Sequence, residues 1–423
     1  MSSNPTVFSI HPMKPIGFGA GFISGYAFKS GDFCDVGIPV VKIKNIQNKI
    51  ASTSDSQCVP ERIITEKLQK FFLNNGDIVI AMTGQGSVGR VGRMQCSKGE
   101  SPLMNQRVGK FIANETSLNK DFLYYVISSD SFQHQLFSLG SGSGQPNLSP
   151  SAILSLPIPY PPYNEQVAIA EILNSLDDRI TLLRETNATL EAIVQALFKS
   201  WFVDFDPVYA KQEGRAPDGM DNATAALFPD SFEESELGAV PRGWKVRKFG
   251  DFIDRQPVGE KYDQKSALPK GKVPILDQGK SGIIGYHNNA SGVKADLENP
   301  VVVFANHTCY MRLIAFEFSV IQNVLPFAGK GVDTVWAYYA TKDRLKFSEY
   351  KGHWPDFIIE KSVTPDDCLT LKFRHSVGPL IRKITNNEIH SQNLIDLRDT
   401  LVPRLVSGQL RPSEAADLTR QAA

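Results

Sequence analysis

The sequence EQVAIAEILNSLDDRITLLRETNATLEAIVQALFKSWF, residues 165–202, decides the fold of this chain. Apolar residues recur every seven positions in two columns, which begin at Ile169 and Leu173. This spacing is typical of the seam of a coiled-coil helix. Such a helix would be about 55–60 Å long, so we expect it to connect globular parts and to need a partner helix. The predicted seam comprises Ile169, Leu173, Leu176, Ile180, Leu183, Asn187, Leu190, Val194, Leu197 and Trp201.

The partner helix is predicted near the other end of the same chain, because the seam repeats there. A shift of 204 positions places Leu176 on Leu380 and Ile180 on Ile384. Pro379 is a favoured first helical residue, so we expect the second helix to begin there and to end near Gly408. Its predicted seam comprises Leu380, Ile384, Ser391, Leu394, Leu397, Leu401 and Leu405.

One seam position is polar in both helices, because Asn187 falls on Ser391 in the repeat. A polar pair in an apolar seam costs stability but can fix the register of the two helices. We therefore expect the Asn187→Leu substitution to raise thermal stability while loosening the distance that the helix register sets between the globular parts.

The globular parts between the helices repeat as well. The apolar strand Ile78–Met82 matches Val301–Ala305, and each is followed by a polar loop, at 83–90 and at 306–312. A long internal repeat of this kind implies two similar halves. We predict an α+β protein with an internal pseudo-two-fold repeat, in which two mixed α/β domains are joined by two long helices packed as an antiparallel coiled coil. The predicted segments are a first domain (1–160), a central helix (161–205), an acidic proline-rich linker (206–241), a second domain (242–370), a distal helix (371–410) and a C-terminal tail (411–423).

Composition excludes several classes of protein. With 42% hydrophobic and 21% charged residues, the chain is neither disordered nor collagen-like. The formal net charge is zero, although the globular parts are mildly basic, which permits nucleic-acid binding without establishing it. The five cysteines never show the CxxC spacing of a zinc site and indicate a reducing cytoplasm. Neither a membrane span nor a secretory signal is predicted.

Several short strings, in order and along almost the whole chain, resemble one family. They are Gly76-Asp-Ile-Val-Ile-Ala-Met, Asn105-Gln106, Gln145-Pro-Asn-Leu-Ser149, Pro161-Pro-Tyr-Asn-Glu-Gln-Val-Ala-Ile-Ala, Leu197-Phe-Lys-Ser-Trp-Phe202, Leu237-Gly-Ala-Val-Pro-Arg-Gly-Trp244 and Leu397-Arg-Asp-Thr-Leu-Val-Pro-Arg-Leu-Val-Ser-Gly408. No single string is decisive, but their order and spacing are similar to those of the specificity (S) subunits of type I restriction-modification systems.

This resemblance implies a targeting subunit without an active site of its own. Each target-recognition domain would bind one half of a bipartite double-stranded DNA target, and the paired helices would fix the spacer between the halves. The helices would also dock two methyltransferase (modification) subunits, which motor-nuclease (restriction) subunits then join in an antiviral restriction system. The cofactors S-adenosylmethionine, ATP and Mg²⁺ would bind to those partners and not to this chain.

Candidate DNA-binding residues are polar or basic side chains in the loops beside the repeated strands. Arg and Lys can donate to guanine, Gln and Asn can pair with adenine, and hydroxyl groups can hold phosphates. In the first domain the candidates are Lys42, Lys44, Asn45, Thr83, Gln85, Ser87 and Arg90, with Ser141, Ser143 and Gln145 as alternatives. In the second domain they are Lys280, Tyr286, His287, Asn288, Asn306, His307, Thr308, Arg312, Lys351 and His353. Any one of them could instead be a solvated loop residue, because turns favour such residues.

No catalytic or metal-binding motif is complete. Pro161-Pro162-Tyr163 resembles an amino-methyltransferase motif, but Tyr160 precedes it where an acceptor side chain is needed. The three histidines of the second domain lack cysteines or carboxylates at ligand spacing. Two rival hypotheses stay open at this point: a fragment of a self-contained restriction-methylation enzyme, and a coiled-coil scaffold that does not bind DNA.

Overall fold

The computed structural model describes residues 9–140, 146–279, 282–349 and 351–422, with only the backbone of Ala422. The chain divides into two compact units. The first unit comprises residues up to Leu182 together with His390 onwards, and the second comprises Leu183–Ile389. The two long helices therefore contribute to both units, each helix passing from one into the other.

The first unit contains a six-stranded sheet and a smaller three-stranded sheet, whose strands lie between those of the larger sheet along the chain. Its strands are β1 (Met13–Pro15), β2 (Ala20–Ser24), β3 (Ile38–Val41), β4 (Ile46–Gln47), β5 (Ile50–Ser52), β6 (Gln57–Val59), β7 (Ile78–Ala81), β8 (Val91–Gln95), β9 (Leu103–Met104), β10 (Val108–Ala113) and β11 (Pro157–Pro159). Its helices are α1 (Lys120–Ile127), α2 (Asp130–Gly140) and α3 (Pro150–Ser155), followed by the start of α4 (Tyr163–Phe202). The larger sheet has the order β2-β10-β7-β8-β5-β4, and the smaller has the order β6-β3-β9.

The second unit contains two four-stranded sheets and a large aromatic core. After α4 come α5 (Asp206–Gln212), α6 (Asn222–Ala226), β12 (Phe232–Ser235), β13 (Gly238–Pro241), β14 (Lys245–Lys248), α7 (Phe249–Phe252), β15 (Ile253–Arg255), β16 (Lys261–Tyr262), β17 (Val273–Leu276), β18 (Ile283–His287), β19 (Val301–Ala305), β20 (Met311–Ile314), β21 (Ser319–Ile321), β22 (Val324–Gly329), α8 (Thr334–Thr341), α9 (Trp354–Ile359) and β23 (Lys361–Thr364). The distal helix α10 (Asp367–Val406) and the short α11 (Pro412–Ala422) complete the chain. The sheets have the orders β15-β22-β19-β20 and β16-β21-β17-β18.

The predicted repeat is present in the strand pairing of the two units. In the first unit Val108 of β10 pairs with Ala81 of β7, and in the second Val324 of β22 pairs with Ala305 of β19, in each case antiparallel. The order β2-β10-β7-β8 is thus matched by β15-β22-β19-β20. The short parallel pairs β3–β9 and β17–β21 also correspond. Two copies of one strand arrangement therefore place equivalent loops in each unit.

The two long helices pack against each other within each unit, as the seam predicted. In the second unit Asn187 contacts Asn387 and Phe198 contacts Phe373, so residue numbers rise along one helix as they fall along the other, which makes the pair antiparallel. In the first unit Asp177 of α4 pairs with Arg398 of α10 at 2.6 Å. Every predicted seam residue of both helices is buried or half-buried.

The start of the distal helix differs from the prediction. It begins at Asp367 and continues through Pro379, although proline lacks the N–H that bonds to the preceding turn. Leu369, Phe373 and Val377 extend the apolar stripe by three turns and are each at most 2% exposed. Burial of this stripe outweighs the single lost hydrogen bond, so the helix does not begin at the proline.

Residues 206–241, expected to be a proline-rich linker, are mostly ordered elements of the second unit. Phe228 packs edge-on against Trp201 at 5.4 Å, and Val240 is buried. Pro207 lies at the start of α5 and Pro241 at the end of β13, where a missing N–H costs little.

Candidate nucleic-acid interface

Two polar connections of the first unit lie against each other. The first is the 3₁₀ turn Ile43–Asn45 after β3, and the second is the glycine-containing loop between β7 and β8. A Cβ atom at Gly84 would lie 3.1 Å from Cδ1 of Ile43, and the φ of +105° at Gly84 favours glycine. The structure therefore brings together the two groups of candidates that the sequence placed separately. We call Lys42–Asn45 with Thr83–Arg90 the first polar site.

The basic side chains of the first polar site are held in different ways. Lys42 Nζ lies 3.7 Å from the centre of the Phe33 ring and donates to Gln57 Oε1 at 2.5 Å. Partial burial, helped by the charge of Lys44, lowers the pKa of the Lys42 ammonium. Lys44 is exposed and donates to the Asp55 carbonyl oxygen at 2.8 Å. Lys44 is thus the more accessible of the two cations.

Asn45 is an organising residue of this site and not an exposed one. Its side chain is 7% exposed, its Oδ1 accepts from the Lys42 N–H at 3.0 Å, and its Nδ2 donates to the Ser54 carbonyl at 2.8 Å. The prediction that Asn45 contacts DNA directly does not fit this burial. Asn45 instead fixes the turn that carries Lys42 and Lys44.

The loop side chains of the first polar site are more accessible. Gln85 is exposed, and Ser87 and Arg90 are half-buried. Thr83 is half-buried, and its backbone pairs with that of Asn147, which brings the segment after α2 to the same loop. The alternatives Ser141, Ser143 and Gln145 lie outside the described residues.

The second unit has an equivalent arrangement of connections. Its loop between β19 and β20 contacts Gln278, which follows β17 as Lys42 follows β3. The His307 N–H donates to Gln278 Oε1 at 3.1 Å, and Thr308 Oγ1 donates to the Gln278 carbonyl at 2.6 Å. The sequence prediction missed Gln278, although its place after the repeated strand was a usable signal. Lys280 lies outside the described residues.

A third connection completes this arrangement. The Asn306 carbonyl accepts from the His353 N–H at 2.9 Å, and Asn306 Oδ1 accepts from the Trp354 N–H at 2.8 Å. His307 Nδ1 donates to the Lys351 carbonyl at 2.8 Å. We call Gln278, Asn306–Thr308 and residues 351–354 the second polar site.

Lys351 is the exposed cation of the second polar site. Its Nζ lies 3.1 Å from Asp356 and 3.2 Å from Glu349, and these carboxylates raise the pKa of its ammonium.

The other predicted residues of the second unit differ in exposure. Arg312, half-buried on β20, lies against Gly282, where a Cβ atom would be only 2.2 Å from the Arg312 Nη1. Tyr286 is half-buried and Asn288 is exposed, with its Oδ1 accepting from the Lys272 N–H at 3.2 Å.

Two predicted DNA-binding histidines lie in the interior. His287 is 3% exposed, stacks on Tyr262 at 4.1 Å, and has its Nε2 2.8 Å from Ser319 Oγ. His353 is 1% exposed, and its Nε2 donates to the Glu349 carbonyl at 3.0 Å. Direct base contact by either side chain is inconsistent with this burial. Both side chains make internal hydrogen bonds. Their position near predicted loops could not show whether they were buried or exposed.

In each unit a helix of the globular part is tied through a tyrosine pair to the long helix α4. In the first unit Tyr125 of α1 donates to Asp177 of α4 at 2.8 Å, and burial raises the pKa of its neighbour Tyr124 to about 12. In the second unit Tyr339 of α8 donates to Glu191 of α4 at 2.7 Å. The domain that carries the loops is therefore anchored to the helix pair by buried hydroxyl–carboxylate bonds.

The described residues contain neither a cluster of potential metal ligands nor a helix suited to crossing a bilayer.

Comparisons with known sequences and structures identify proteins that are similar to this chain. Residues 20–192 match the family model described as the type I restriction modification DNA specificity domain. The type I restriction enzyme MjaIX specificity subunit of Methanocaldococcus jannaschii is 24% identical over 436 residues, which cover 97% of this chain and 95% of that protein. The HindI specificity subunit of Haemophilus influenzae is 24% identical, covering 71% of this chain and 80% of that protein.

The S subunit of a type I restriction-modification system from M. genitalium has a related crystal structure. Its TM-score is 0.53 at 14% sequence identity, with 96% of this chain and 98% of that chain covered, which shows a shared fold. The repeated strand arrangement, the paired long helices and the full-length relatives agree with one another. Residues 20–192 thus match the type I restriction modification DNA specificity domain, and over almost its whole length the chain is similar to type I restriction enzyme specificity subunits.

Proposed function

We propose that this chain is the DNA-targeting subunit of a type I restriction-modification complex, without an active site of its own. The first polar site would bind one half of a bipartite target, and the second polar site the other half. The methylation and cleavage chemistry would belong to partner subunits, which would bind S-adenosylmethionine, ATP and Mg²⁺.

One observation carries this proposal: the same two connections contribute to a polar site in each unit, with different side chains. The turn after β3 and the loop after β7 correspond to the connections after β17 and after β19. The first site presents Lys44 and Gln85, whereas the second presents Lys351 and Thr308. Loops on a common scaffold can change their base contacts without changing the fold. Two such sites would therefore bind two different half-sites.

The long helices would set the distance between the half-sites. Both helices are uninterrupted across the boundary between the units, at 182/183 in α4 and 389/390 in α10. A continuous α-helix has a fixed rise per residue, so the number of helical residues would define the spacer. The repeat of the two helices would also give two similar docking surfaces, and we propose that each binds one methyltransferase subunit.

The two rival hypotheses have weaker support. A self-contained restriction-methylation enzyme needs a methyltransferase core, and the repeat occupies nearly the whole chain. A coiled-coil scaffold without a DNA role would not need different polar side chains in two equivalent loop sites.

The experiment that tests the proposal exchanges residues 245–365 for the matching segment of a relative with another target. The modified complex is expressed in cells, and methylated adenines are mapped across the genome. We expect one half of the target to change while the other half and the spacer stay the same. Exchanging residues 12–158 is the matched control and should change the opposite half. A change in both halves from one exchange, or in neither, would contradict the proposal.

A further inference from the structure

Two cysteines of the first unit face each other across an antiparallel bridge. The Cys34 N–H donates to the Cys58 carbonyl at 2.9 Å, and the Cys58 N–H donates to the Cys34 carbonyl at 3.1 Å. Cys58 also lies in the ladder of β3 with β6, where it pairs with Pro39, so Cys34 bonds to the other edge of β6. Both cysteines are free thiols and half-buried.

The bridge geometry brings the two thiols within reach of a disulfide. Residues that exchange both backbone hydrogen bonds lie with their Cα atoms about 5.5 Å apart, inside the range of disulfide-bonded cysteines. Directly opposite side chains also lie on the same face of the sheet. The Sγ of Cys34 now donates to the Val36 carbonyl at 3.1 Å, so closure needs a side-chain rotation and no change in strand pairing.

The same geometry makes the bond easy to reduce. In hydrogen-bonded pairs the Cβ atoms stand farther apart than in the alternate pairs, and a disulfide requires them to be closer still. The two strands must therefore be drawn together locally, and strained disulfides are more readily reduced than relaxed ones. Such a bond suits a reversible site better than a permanent crosslink.

We propose that Cys34 and Cys58 form a reversible thiol–disulfide site, whose substrate is a low-molecular-weight disulfide. The thiolate of one cysteine attacks a sulfur of the small disulfide, which gives a mixed disulfide and releases one small thiol. The second cysteine, as its thiolate, attacks the protein sulfur of the mixed disulfide and releases the second small thiol. Two cysteine thiols are oxidised, one small disulfide is reduced, and the two protons pass to the released thiolates.

The reaction rate has a defined pH dependence. Burial, followed by the proximity of Cys34, raises the pKa of the Cys58 thiol, although a backbone hydrogen bond from Gly37 acts in the opposite direction. Asp35 and Glu100 add to the increase. Because the thiolate is the reactive form, disulfide closure should accelerate as pH rises through and beyond the usual thiol range.

The disulfide would close the segment that contains the basic turn of the first polar site. Residues 34–58 include Lys42, Lys44 and the buried Asn45, which holds this turn to Ser54. Oxidation would restrict the movement of that turn. If the proposed DNA-binding function holds, the effect on binding would be confined to the half-site of the first unit.

The test uses the full chain and oxidised glutathione. Free thiols are trapped by alkylation, and the product is characterised by intact mass and peptide mapping. We expect the wild-type chain to lose two hydrogens, to yield a Cys34–Cys58 linked peptide, and to recover its mass with dithiothreitol. Cys34→Ser and Cys58→Ser should each stop at a mixed disulfide with glutathione, whereas the matched control Cys96→Ser should close as the wild type does.

Three results would overturn the proposal: a stable glutathione adduct on Cys34 or Cys58 of the wild-type chain, linkage of either cysteine to another partner, or both thiols still free at alkaline pH. Mass detection does not depend on DNA, so failure of the proposed DNA function would leave this test unaffected. Binding of the oxidised chain to duplexes altered in one half-site then tests separately whether the effect of oxidation is confined to the half-site of the first unit.

Discussion

At the scale of single residues, accessibility separates the side chains that can touch DNA from those that position them. Lys44 and Gln85 are exposed on the first polar site, whereas Asn45 is buried between two backbone partners. The same division holds in the second unit, where Lys351 is exposed and His353 is in the interior. Substitutions of the two kinds should therefore have different signatures.

Lys44→Ala should weaken DNA binding through loss of a phosphate contact. Each contact of this kind contributes about one unit to the slope of log affinity against log salt concentration. We expect the magnitude of that slope to fall by about one, with target preference unchanged, in titrations of duplex DNA at several salt concentrations. Lys98→Ala, which removes an exposed lysine between β8 and β9, is the control and should leave the slope unchanged. An unaltered slope for Lys44→Ala would exclude this residue from the interface.

Arg398→Ala should destabilise the first unit. Arg398 donates to Asp177 at 2.6 Å and to Asp399 at 2.8 Å, and Asp177 also accepts from Tyr125. Removing one partner of a largely buried ion pair leaves the other charge uncompensated, so we expect a loss of about 2–3 kcal/mol in the free energy of unfolding. Urea titration measures this loss.

The control for this substitution is Arg404→Ala, which removes an exposed arginine from the same helix. It should change the free energy of unfolding by less than about 0.5 kcal/mol. Equal effects of the two substitutions would refute the anchoring role of Arg398.

Glu191 should make the second unit sensitive to acid. Burial tends to raise its pKa, but hydrogen bonds from Lys342, Tyr339 and Gln195 and the Lys342 charge outweigh burial and lower it. A lowered pKa in the folded state stabilises the protein fully above the pKa of the unfolded chain, about 4.3, and this stabilisation disappears as pH falls through the folded value.

Glu191→Gln should therefore reduce the melting temperature at neutral pH, through a loss of about 1–2 kcal/mol for a half-buried pair. The difference from the wild type should shrink below about pH 4. Glu185→Gln, at an exposed position of the same helix, should show no such dependence. A difference that persisted undiminished in acid would contradict this account.

At the scale of elements, the polar layer in the helix seam is paired differently from the sequence prediction. Asn387 Nδ2 donates to Asn187 Oδ1 at 2.8 Å, and Asn187 Nδ2 donates to the Ile384 carbonyl at 3.0 Å. Ser391, which the repeat aligns with Asn187, is 7% exposed in the first unit. Repeat alignment identifies equivalent positions in two helices, whereas antiparallel packing brings together positions that are not equivalent.

This pairing reverses the expectation for Asn187→Leu. The single substitution would leave the amide of Asn387, which is 3% exposed, without its partner, and should cost about 1–3 kcal/mol. The double substitution Asn187→Leu with Asn387→Leu should recover that loss and exceed wild-type stability, because both polar groups are replaced together. Thermal unfolding of the four proteins measures the coupling. A single substitution more stable than the double would contradict the pairing.

The sequence predicted those parts of the fold that depend on periodic burial. The seam residues and the repeated strands both follow from the periodic spacing of apolar residues. The start of α10 did not follow, because local proline chemistry favoured Pro379 while packing of Phe373 and Val377 decided the outcome. The burial of His287 also did not follow, because its partners Tyr262 and Ser319 are distant in sequence.

At the scale of the whole molecule, the two long helices are the elements that both units share. Insertion of one heptad into each helix, at 182/183 and at 389/390, preserves the seam and adds about 10.5 Å of helix. We expect the spacer of the methylated target to lengthen by about three base pairs, at the 3.4 Å rise per base pair of B-DNA. Genome-wide mapping of methylated adenine measures the spacer. An unchanged spacer would exclude helix length as its determinant.

The control for this insertion adds five residues to each helix instead of seven. At about 3.6 residues per turn, five residues rotate the apolar stripe by about 140° away from the partner helix, so stability should fall and methylation should be lost. If both insertions abolish methylation, the prediction of a longer spacer is wrong, because the helix pair then tolerates no change in length.

The composition of the first unit has a consequence for the order of folding during synthesis. Residues 390–423 belong to this unit, and the Ile10 N–H donates to the Ser407 carbonyl at 2.9 Å. The second unit, by contrast, is one continuous stretch, Leu183–Ile389. A ribosome therefore releases every residue of the second unit before it supplies the last helix turns of the first. The part of the protein that is translated first is the part that is completed last, and until then its apolar seam at Ile169 and Leu173 lacks its partner.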